Sequence, residues 1–279
     1  MNRYLFLPLV FLLLLTLPAS ADLPAGVTLQ PDIAYGADPA QRFDVYLPPH
    51  PQNAPILFMV HGGAWRVGDK TNERVVENKV AHWVPQGVIF VSVNYRMIPE
   101  AKPLLQAEDV ARALAKVQEL APGWGGDPAN VILMGHSAGA HLVALINAAP
   151  DIATAAGAKP WKGTVLLDSG AMDVPAVMNA RHMPLYDKAF GDDPANWHAA
   201  SPYHRLAGPM PPILAVCRER SSDSCPANRA FADKAATLGS NVDVLPMDLS
   251  HGEINKLLGL PSAYTTRVDD FMRSLGWKL

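Results

Sequence analysis

The sequence is short of charge, of cysteine and of long apolar runs, and each shortage removes a class of protein. Charged residues make up 18 % of 279 positions and the formal net charge is −3. That balance does not suit a surface built to hold nucleic acid or an anionic membrane. There are two cysteines, no Cys/His cluster at ligand spacing and no H-E-x-x-H pattern, so no metal site is expected. Nucleotide fingerprints are missing too. Gly123-Trp124-Gly125-Gly126 precedes a strand and lacks the following helix whose N-terminus would take a phosphate. No cofactor is therefore expected. No internal repeat, low-complexity tract or linker divides the chain, and no stripe of tryptophans suggests a carbohydrate-binding face.

One apolar run opens the chain. Met1-Asn2-Arg3 is a short basic start, Tyr4 to Leu17 is almost wholly apolar, and Pro18-Ala19-Ser20-Ala21 supplies an A-x-A site before Asp22. The run is too short and wrongly flanked for a span of ~20 residues, and the pattern predicts a secretory signal peptide over 1–21, cleaved after Ala21. No cysteine lies near that site, so neither a lipid anchor nor a stable membrane anchor is expected. The remaining segment, 22–279, is long enough for one large α/β domain. Loss of Arg3 takes its formal charge to about −4. The expected location is secreted or periplasmic. There Cys217 and Cys225, eight apart, would form a disulfide; two buried free thiols are the alternative. Nothing in the sequence sets an oligomeric state.

The rest of the pattern alternates strands with helices. Gln41 to Leu47 alternates polar with apolar residues and reads as a half-exposed strand closed by Pro48-Pro49. Ile56 to Val60 and Val88 to Val93 are continuous apolar runs of the kind buried on both faces of a sheet. Glu73 to Trp83 between them, and Ala107 to Leu120 after them, carry helical spacing. Val131 to Met134, Gly163 to Leu167, Ile213 to Val216 and Val242 to Leu245 read as further strands, and Phe231 to Leu238 and Tyr264 to Leu275 as the last helices. Such alternation predicts parallel βαβ units and a mostly parallel sheet covered by helices on both faces. Residues 171–208 break the rhythm with three prolines and three aromatics before Ser201-Pro202, and a small cap is expected there.

Three pieces carry chemistry. Gly135-His136-Ser137-Ala138-Gly139 follows the strand ending at Met134 and leads into an apolar segment. That is a G-x-S-x-G turn between strand and helix, in which Ser137 would sit in a strained conformation with its hydroxyl exposed. His61-Gly62-Gly63-Ala64-Trp65 ends the strand Ile56 to Val60, and its glycines allow backbone N–H groups to point inward. The N–H groups of Gly63, Ala64 and Ala138 are the expected oxyanion donors, with Gly62 the alternative neighbour. His61 is expected to pin the loop. Serine needs an adjacent base, and His251, after the strand Val242 to Leu245, is the histidine in a suitable loop downstream of it. The acid that orients the imidazole is expected in the loop after the penultimate strand. Asp223 is the candidate there and Glu219 its rival, while Asp248 lies too close to His251 in sequence.

With these pieces in place the chain resembles the α/β-hydrolase superfamily, and within it the hormone-sensitive-lipase-type esterases and the arylformamidase, feruloyl esterase and acetyl esterase branches. The resemblance runs from Asp44-Val45-Tyr46-Leu47-Pro48 to the final helix. Trp65 and the strand end Asn94-Tyr95-Arg96 lean toward the arylformamidase-like branch, whereas the acid loop lacks the usual glycine before its acidic residues. The resemblance implies a serine hydrolase of small-molecule short-chain acyl or aryl esters, working through Ser137, His251 and Asp223 and an acyl-enzyme. An arylformamidase-type amide hydrolase and a feruloyl or acetyl esterase of plant polymers are the alternatives it leaves.

Overall fold

The computed structural model describes residues 23–279; the expected signal peptide lies outside them. Eight strands form one sheet in the order β1-β2-β4-β3-β5-β6-β7-β8. They are β1 (Thr28–Ala34), β2 (Arg42–Leu47), β3 (Ala54–Val60), β4 (Ile89–Val93), β5 (Gly126–His136), β6 (Gly163–Leu167), β7 (Ile213–Arg218) and β8 (Val242–Met247). The pairings of β1 with β2 and of β2 with β4 are antiparallel, and all the others are parallel.

Unlike β8, which at the edge is half-buried and carries Asp243, the inner parallel strands read as apolar runs because both faces of the sheet are covered there. Successive residues of β3 show how. Ile56, Phe58 and Val60 enter one core with α2 (Pro103–Leu120) and α3 (Ala138–Ala148), while Leu57 and Met59 enter a second core with α1 (Glu73–Trp83) and α11 (Ala263–Ser274). Helix α3 is buried along its whole length, so the segment after Ser137 is apolar apart from His141 and Asn147, which are hydrogen-bonded. The short α4 (Pro150–Ala155) leads from it toward β6.

Residues 171–208 hold no strand. They fold into four short helices: α5 (Val174–Asn179), α6 (Pro184–Phe190), α7 (Pro194–Ala199) and α8 (Pro202–Arg205). Each has proline near its first position, where the missing N–H costs no hydrogen bond. Helix α9 (Ser224–Thr237) joins β7 to β8, and α10 (His251–Lys256) follows β8.

One buried charge bears on stability. Lys79 of α1 is 1 % exposed, and its ammonium donates to the carbonyls of Asn255 at 2.6 Å and Arg74 at 3.2 Å. Burial pushes its pKa down from 10.5 to about 7. Between those values the unfolded chain holds a proton that the folded chain lacks, so stability rises with pH across that window and is lowest below it. In Lys79→Met that rise is expected to shrink by roughly a few kcal/mol, measurable as urea midpoints between pH 6.5 and 10.

Candidate active site

The carboxyl ends of β3, β5, β6 and β8 face the same edge of the sheet, and the loops that leave them meet over one cavity. In open sheets of this kind that edge is where ligands bind. The cavity has a volume of about 760 Å³ and its walls include Gly63, Trp65, Ser137, Asp168, Tyr186 and His251.

Ser137 occupies the turn between β5 and α3 at φ 55° and ψ −117°, a conformation costing a non-glycine residue about 1–3 kcal/mol. The flanking glycines are required by contact. A Cβ on Gly135 would overlap the backbone of Gly139, and one on Gly139 would overlap the carbonyls of Val60 and His61. In this tight turn the Ser137 N–H donates to the Leu167 carbonyl at 2.8 Å, anchoring the elbow to β6.

The imidazole of His251 reaches that serine. Its Nε2 lies 2.9 Å from Ser137 Oγ and its Nδ1 lies 2.5 Å from Asp168 Oδ2. His251 is the first residue of α10, not a member of an irregular loop. Ser250 caps that helix, its hydroxyl accepting from the Glu253 N–H while the Glu253 carboxylate accepts from the Ser250 N–H.

The carboxylate on the imidazole is thus Asp168 and not Asp223. Asp168 follows β6 directly, at φ 57°, with its side chain wholly buried. Burial alone would raise its pKa, but hydrogen bonds from His251, Ser224 and the Arg218 N–H, with the Arg218 charge, outweigh that and hold the carboxyl below the usual range. Asp223 does follow the penultimate strand, as expected, but its carboxylate is spent elsewhere. It caps α9 by accepting from the Ser224 N–H at 2.7 Å, accepts from the Ser221 hydroxyl, and faces Arg218 at 3.3 Å with its side chain 44 % exposed. Glu219 is exposed on the turn after β7. The overlooked signal was an acidic residue closing the apolar run Thr164-Val165-Leu166-Leu167 at the sheet's ligand edge.

The His61 to Trp65 stretch folds back over the elbow. Gly63 has φ 124°, Ala64 φ 53° and Trp65 φ 59°; a Cβ on Gly63 would overlap the Val67 carbonyl, and one on Gly62 would crowd Ser137. Gly63, Ala64 and Ala138 all line the cavity. Among the described residues the N–H groups of these three have no hydrogen-bond acceptor. His61 pins the loop. Its Nδ1 donates to the Gly62 carbonyl at 2.8 Å and its ring stacks on Tyr95 at 4.6 Å.

The histidines flanking Ser137 are neutral, His136 half-buried at the cavity wall and His141 fully buried. Burial first, and then the neighbouring His251, push His136 down to about 3; its Nε2 donates to the His251 carbonyl at 3.0 Å. Burial pushes His141 down to about 4. It donates from Nε2 to the Ala200 carbonyl at 2.7 Å and accepts on Nδ1 from the Trp65 indole at 3.2 Å. Trp65 also packs on Phe190 and Tyr186 of α6, with ring centroids 5.0 and 5.8 Å away. The residue that follows the glycine pair therefore joins the loop to the four-helix segment. Trp65→Ala is expected to cost about 3–5 kcal/mol, read as a lower urea midpoint.

Together these residues put a hydroxyl, an imidazole and a carboxylate in line beside free N–H groups. Such an arrangement can move a proton from the hydroxyl and hold a negative oxygen. Cys217 and Cys225 are bridged, with Cα atoms 5.1 Å apart, and among the described residues no group of acidic, histidine and cysteine side chains is arranged to hold a metal.

Comparisons with known proteins point the same way. A family model described as BD-FAE matches residues 43–160. The esterase LipQ of Mycobacterium tuberculosis is 30 % identical over 204 residues, covering 68 % of this chain and 48 % of LipQ. A probable isoprenylcysteine alpha-carbonyl methylesterase of Oryza sativa subsp. japonica is 34 % identical over 113 residues, covering 40 % of this chain and 27 % of that protein. The chain thus spans less than half the length of these curated relatives. Among solved structures, the apo form of Thermogutta terrifontis esterase 2 matches with a TM-score of 0.73 at 20 % identity, covering 91 % of this chain and 97 % of that one. A truncated carbohydrate esterase from gut microbiota matches with a TM-score of 0.74 at 17 % identity, covering 89 % and 96 %.

Proposed function

We propose that this chain, which has the α/β-hydrolase fold, is a serine carboxylic-ester hydrolase of short acyl or aryl esters. One observation carries the reading: Ser137 Oγ, His251 Nε2 and Nδ1, and Asp168 Oδ2 are joined by hydrogen bonds of 2.9 and 2.5 Å at the wall of the cavity.

Asp168 accepts the Nδ1 proton of His251, which fixes the tautomer and leaves the Nε2 lone pair toward the serine. His251 takes the Ser137 proton as Oγ bonds to the ester carbonyl carbon. The carbonyl oxygen becomes an oxyanion held by the N–H groups of Gly63, Ala64 and Ala138. Collapse breaks the bond to the alkoxy oxygen, which leaves as alcohol with the proton from His251. Water, deprotonated by His251, then attacks the acyl-enzyme, and Ser137 leaves with that proton, releasing the acid. His136 and His141, both neutral, take no part.

Tyr186, with Met183 and Leu185 from the same segment, lines the cavity that holds the serine, which suits an apolar acyl or aryl group. We also place the enzyme outside the reducing cytosol. The Cys217–Cys225 bridge suits an oxidising compartment, the opening residues read as an export signal, and among the described residues no helix is long and apolar enough to cross a membrane.

A fluorophosphonate probe tests the chemistry. Labelling is expected on the peptide that contains Ser137, to be slowed by competing p-nitrophenyl acetate, and to disappear in His251→Ala, which cannot activate the hydroxyl. Labelling elsewhere, or none in an enzyme that hydrolyses the ester, would remove Ser137 from the mechanism. Rates on p-nitrophenyl esters of rising chain length, on feruloyl esters and on N-formyl-kynurenine then assign the substrate class.

A further inference from the structure

Asp168 stands at the end of β6, but most of what holds it comes from the far side of the next strand. The Arg218 N–H and the Ser224 hydroxyl both donate to Oδ1, at 3.0 and 2.5 Å, and Arg218 Nε lies 2.7 Å from Oδ2. Arg218 ends β7 and Ser224 begins α9, so the turn from strand to helix lies between them. They are also the first and last residues inside the ring that the Cys217–Cys225 bridge closes.

We propose that this bridge, acting through Arg218 and Ser224, is the positioning device for the acid of the Ser137–His251–Asp168 triad. The inference rests on the reading of Asp168 as the orienting acid. The ties between the two holders lie on exposed or half-buried residues: the Ser221 N–H donates to the Arg218 carbonyl at 3.2 Å, the Ser224 N–H donates to Ser221 Oγ at 3.2 Å, and Asp223 faces Arg218 at 3.3 Å. Water can compete for each of them. The bridge adds a covalent tie that water cannot replace, and its two sulfur-bearing residues are buried at 0 and 1 % exposure. Asn228, one turn into α9, extends the clamp by donating to the carbonyls of Ser169 and Ser224, each at 2.8 Å. The clamp also accounts for the left-handed backbone that Asp168 keeps, a strain that persists only where the surroundings over-determine it. Arg218 and Ser224 touch no reacting atom in the proposed chemistry. They act through the carboxylate.

Ser224→Ala removes a hydrogen bond to Asp168 and Arg218→Gln removes a facing positive charge while keeping the backbone N–H; each raises the pH at which Asp168 takes up a proton, because each lost group stabilises its charged form. Other titratable and charged groups around the acid and its imidazole are His136, Lys79, Asp223, Tyr186 and Tyr264, and the substitutions leave all of them in place.

Because the bridge is buried, it is removed by substitution. The test compares Cys217→Ala/Cys225→Ala, Ser224→Ala, Arg218→Gln and all four changes together, reading kcat and KM on p-nitrophenyl acetate, the acid limb of the pH profile and Tm. Each of the first three is expected to lower kcat by about tenfold, the scale of one hydrogen bond to a charged group. KM is expected to stay within about twofold for the bridge and Ser224 variants, whose residues do not line the cavity, while Arg218 lines it and its variant is read by kcat and the acid limb. The acid limb is expected to move to higher pH. In the Ser224→Ala/Arg218→Gln background, loss of the bridge is expected to cost less than it does in wild type, because the backbone N–H at position 218 is then the donor left for the bridge to hold. Loss of the bridge at wild-type kcat and acid limb, with only Tm lowered, would overturn the proposal, as would an equal loss in both backgrounds. If the bridgeless protein does not fold, Ser224→Ala and Arg218→Gln with the bridge intact decide: unchanged kcat in both overturns it. Wild type without Ser137-dependent turnover removes the reading of the site and this inference with it. Turnover that survives every substitution removes this inference alone.

Discussion

Ser137→Ala is expected to lower kcat on p-nitrophenyl acetate by on the order of 10⁶, leaving the residual rate that binding and oxyanion donors supply on their own. The reason is that no other group can do the step. Oγ is the atom that His251 faces at 2.9 Å, and the neighbouring His136 and His141 are held neutral, each donating from Nε2 to a backbone carbonyl. Folding responds differently from activity. Alanine keeps the strained φ of 55° and should unfold near the wild-type temperature. Ser137→Gly, equally inactive, removes the Cβ that makes this conformation costly and is expected to be more stable than Ser137→Ala by about 1 kcal/mol. Thermal scans of the two variants beside their rates check both halves. A Ser137→Ala protein with wild-type turnover would end the proposed chemistry.

Asp168→Asn is expected to cost on the order of 10⁴ in kcat, with Tm changed far less. The amide that replaces the carboxylate presents N–H to His251 Nδ1 or loses that partner; either way the ring proton moves to Nε2, where it opposes the Ser137 hydroxyl. Asp223→Asn is the matched control. Asparagine caps a helix as well as aspartate does, and the exposed pair with Arg218 that it removes is worth at most about 1 kcal/mol, or fivefold in rate. A large loss from Asp223→Asn with a small one from Asp168→Asn would return the orienting role to the residue the sequence favoured.

That reversal of roles marks where the sequence was readable. Strands β3, β4, β6 and β7 were legible because they are largely buried on both faces and so carry nearly unbroken apolar runs, β5 by its buried stretch Val131 to Met134, and half-buried β8 at the sheet edge by its β-branched start; α1 was bounded correctly from Glu73 to Trp83. Strand β1 went unseen for the opposite reason. It lies at the sheet's edge with mostly exposed residues, carries Pro31, and shifts register between Gln30 and Ile33. That Ser137 and His251 meet was legible, and their proposed roles rest on a serine in a glycine-flanked turn between strand and helix with a histidine after the last strand. Asp168 was not, because Asp168-Ser169-Gly170 reads as an ordinary strand exit, and chain order drew attention to the next loop. What separates the two aspartates is three-dimensional. Side-chain donors converge on one of them, and α9 uses the other as its cap.

The four short helices between β6 and β7 leave the sheet and rejoin it between adjacent strands. Their length can therefore drift over generations without disturbing any strand's partner, and the Trp65 ring is the main toll on such change. Selection can then retune which molecules are admitted while the proton-relay machinery stays put, so close descendants of this chain are expected to differ most in diet over those thirty-odd residues.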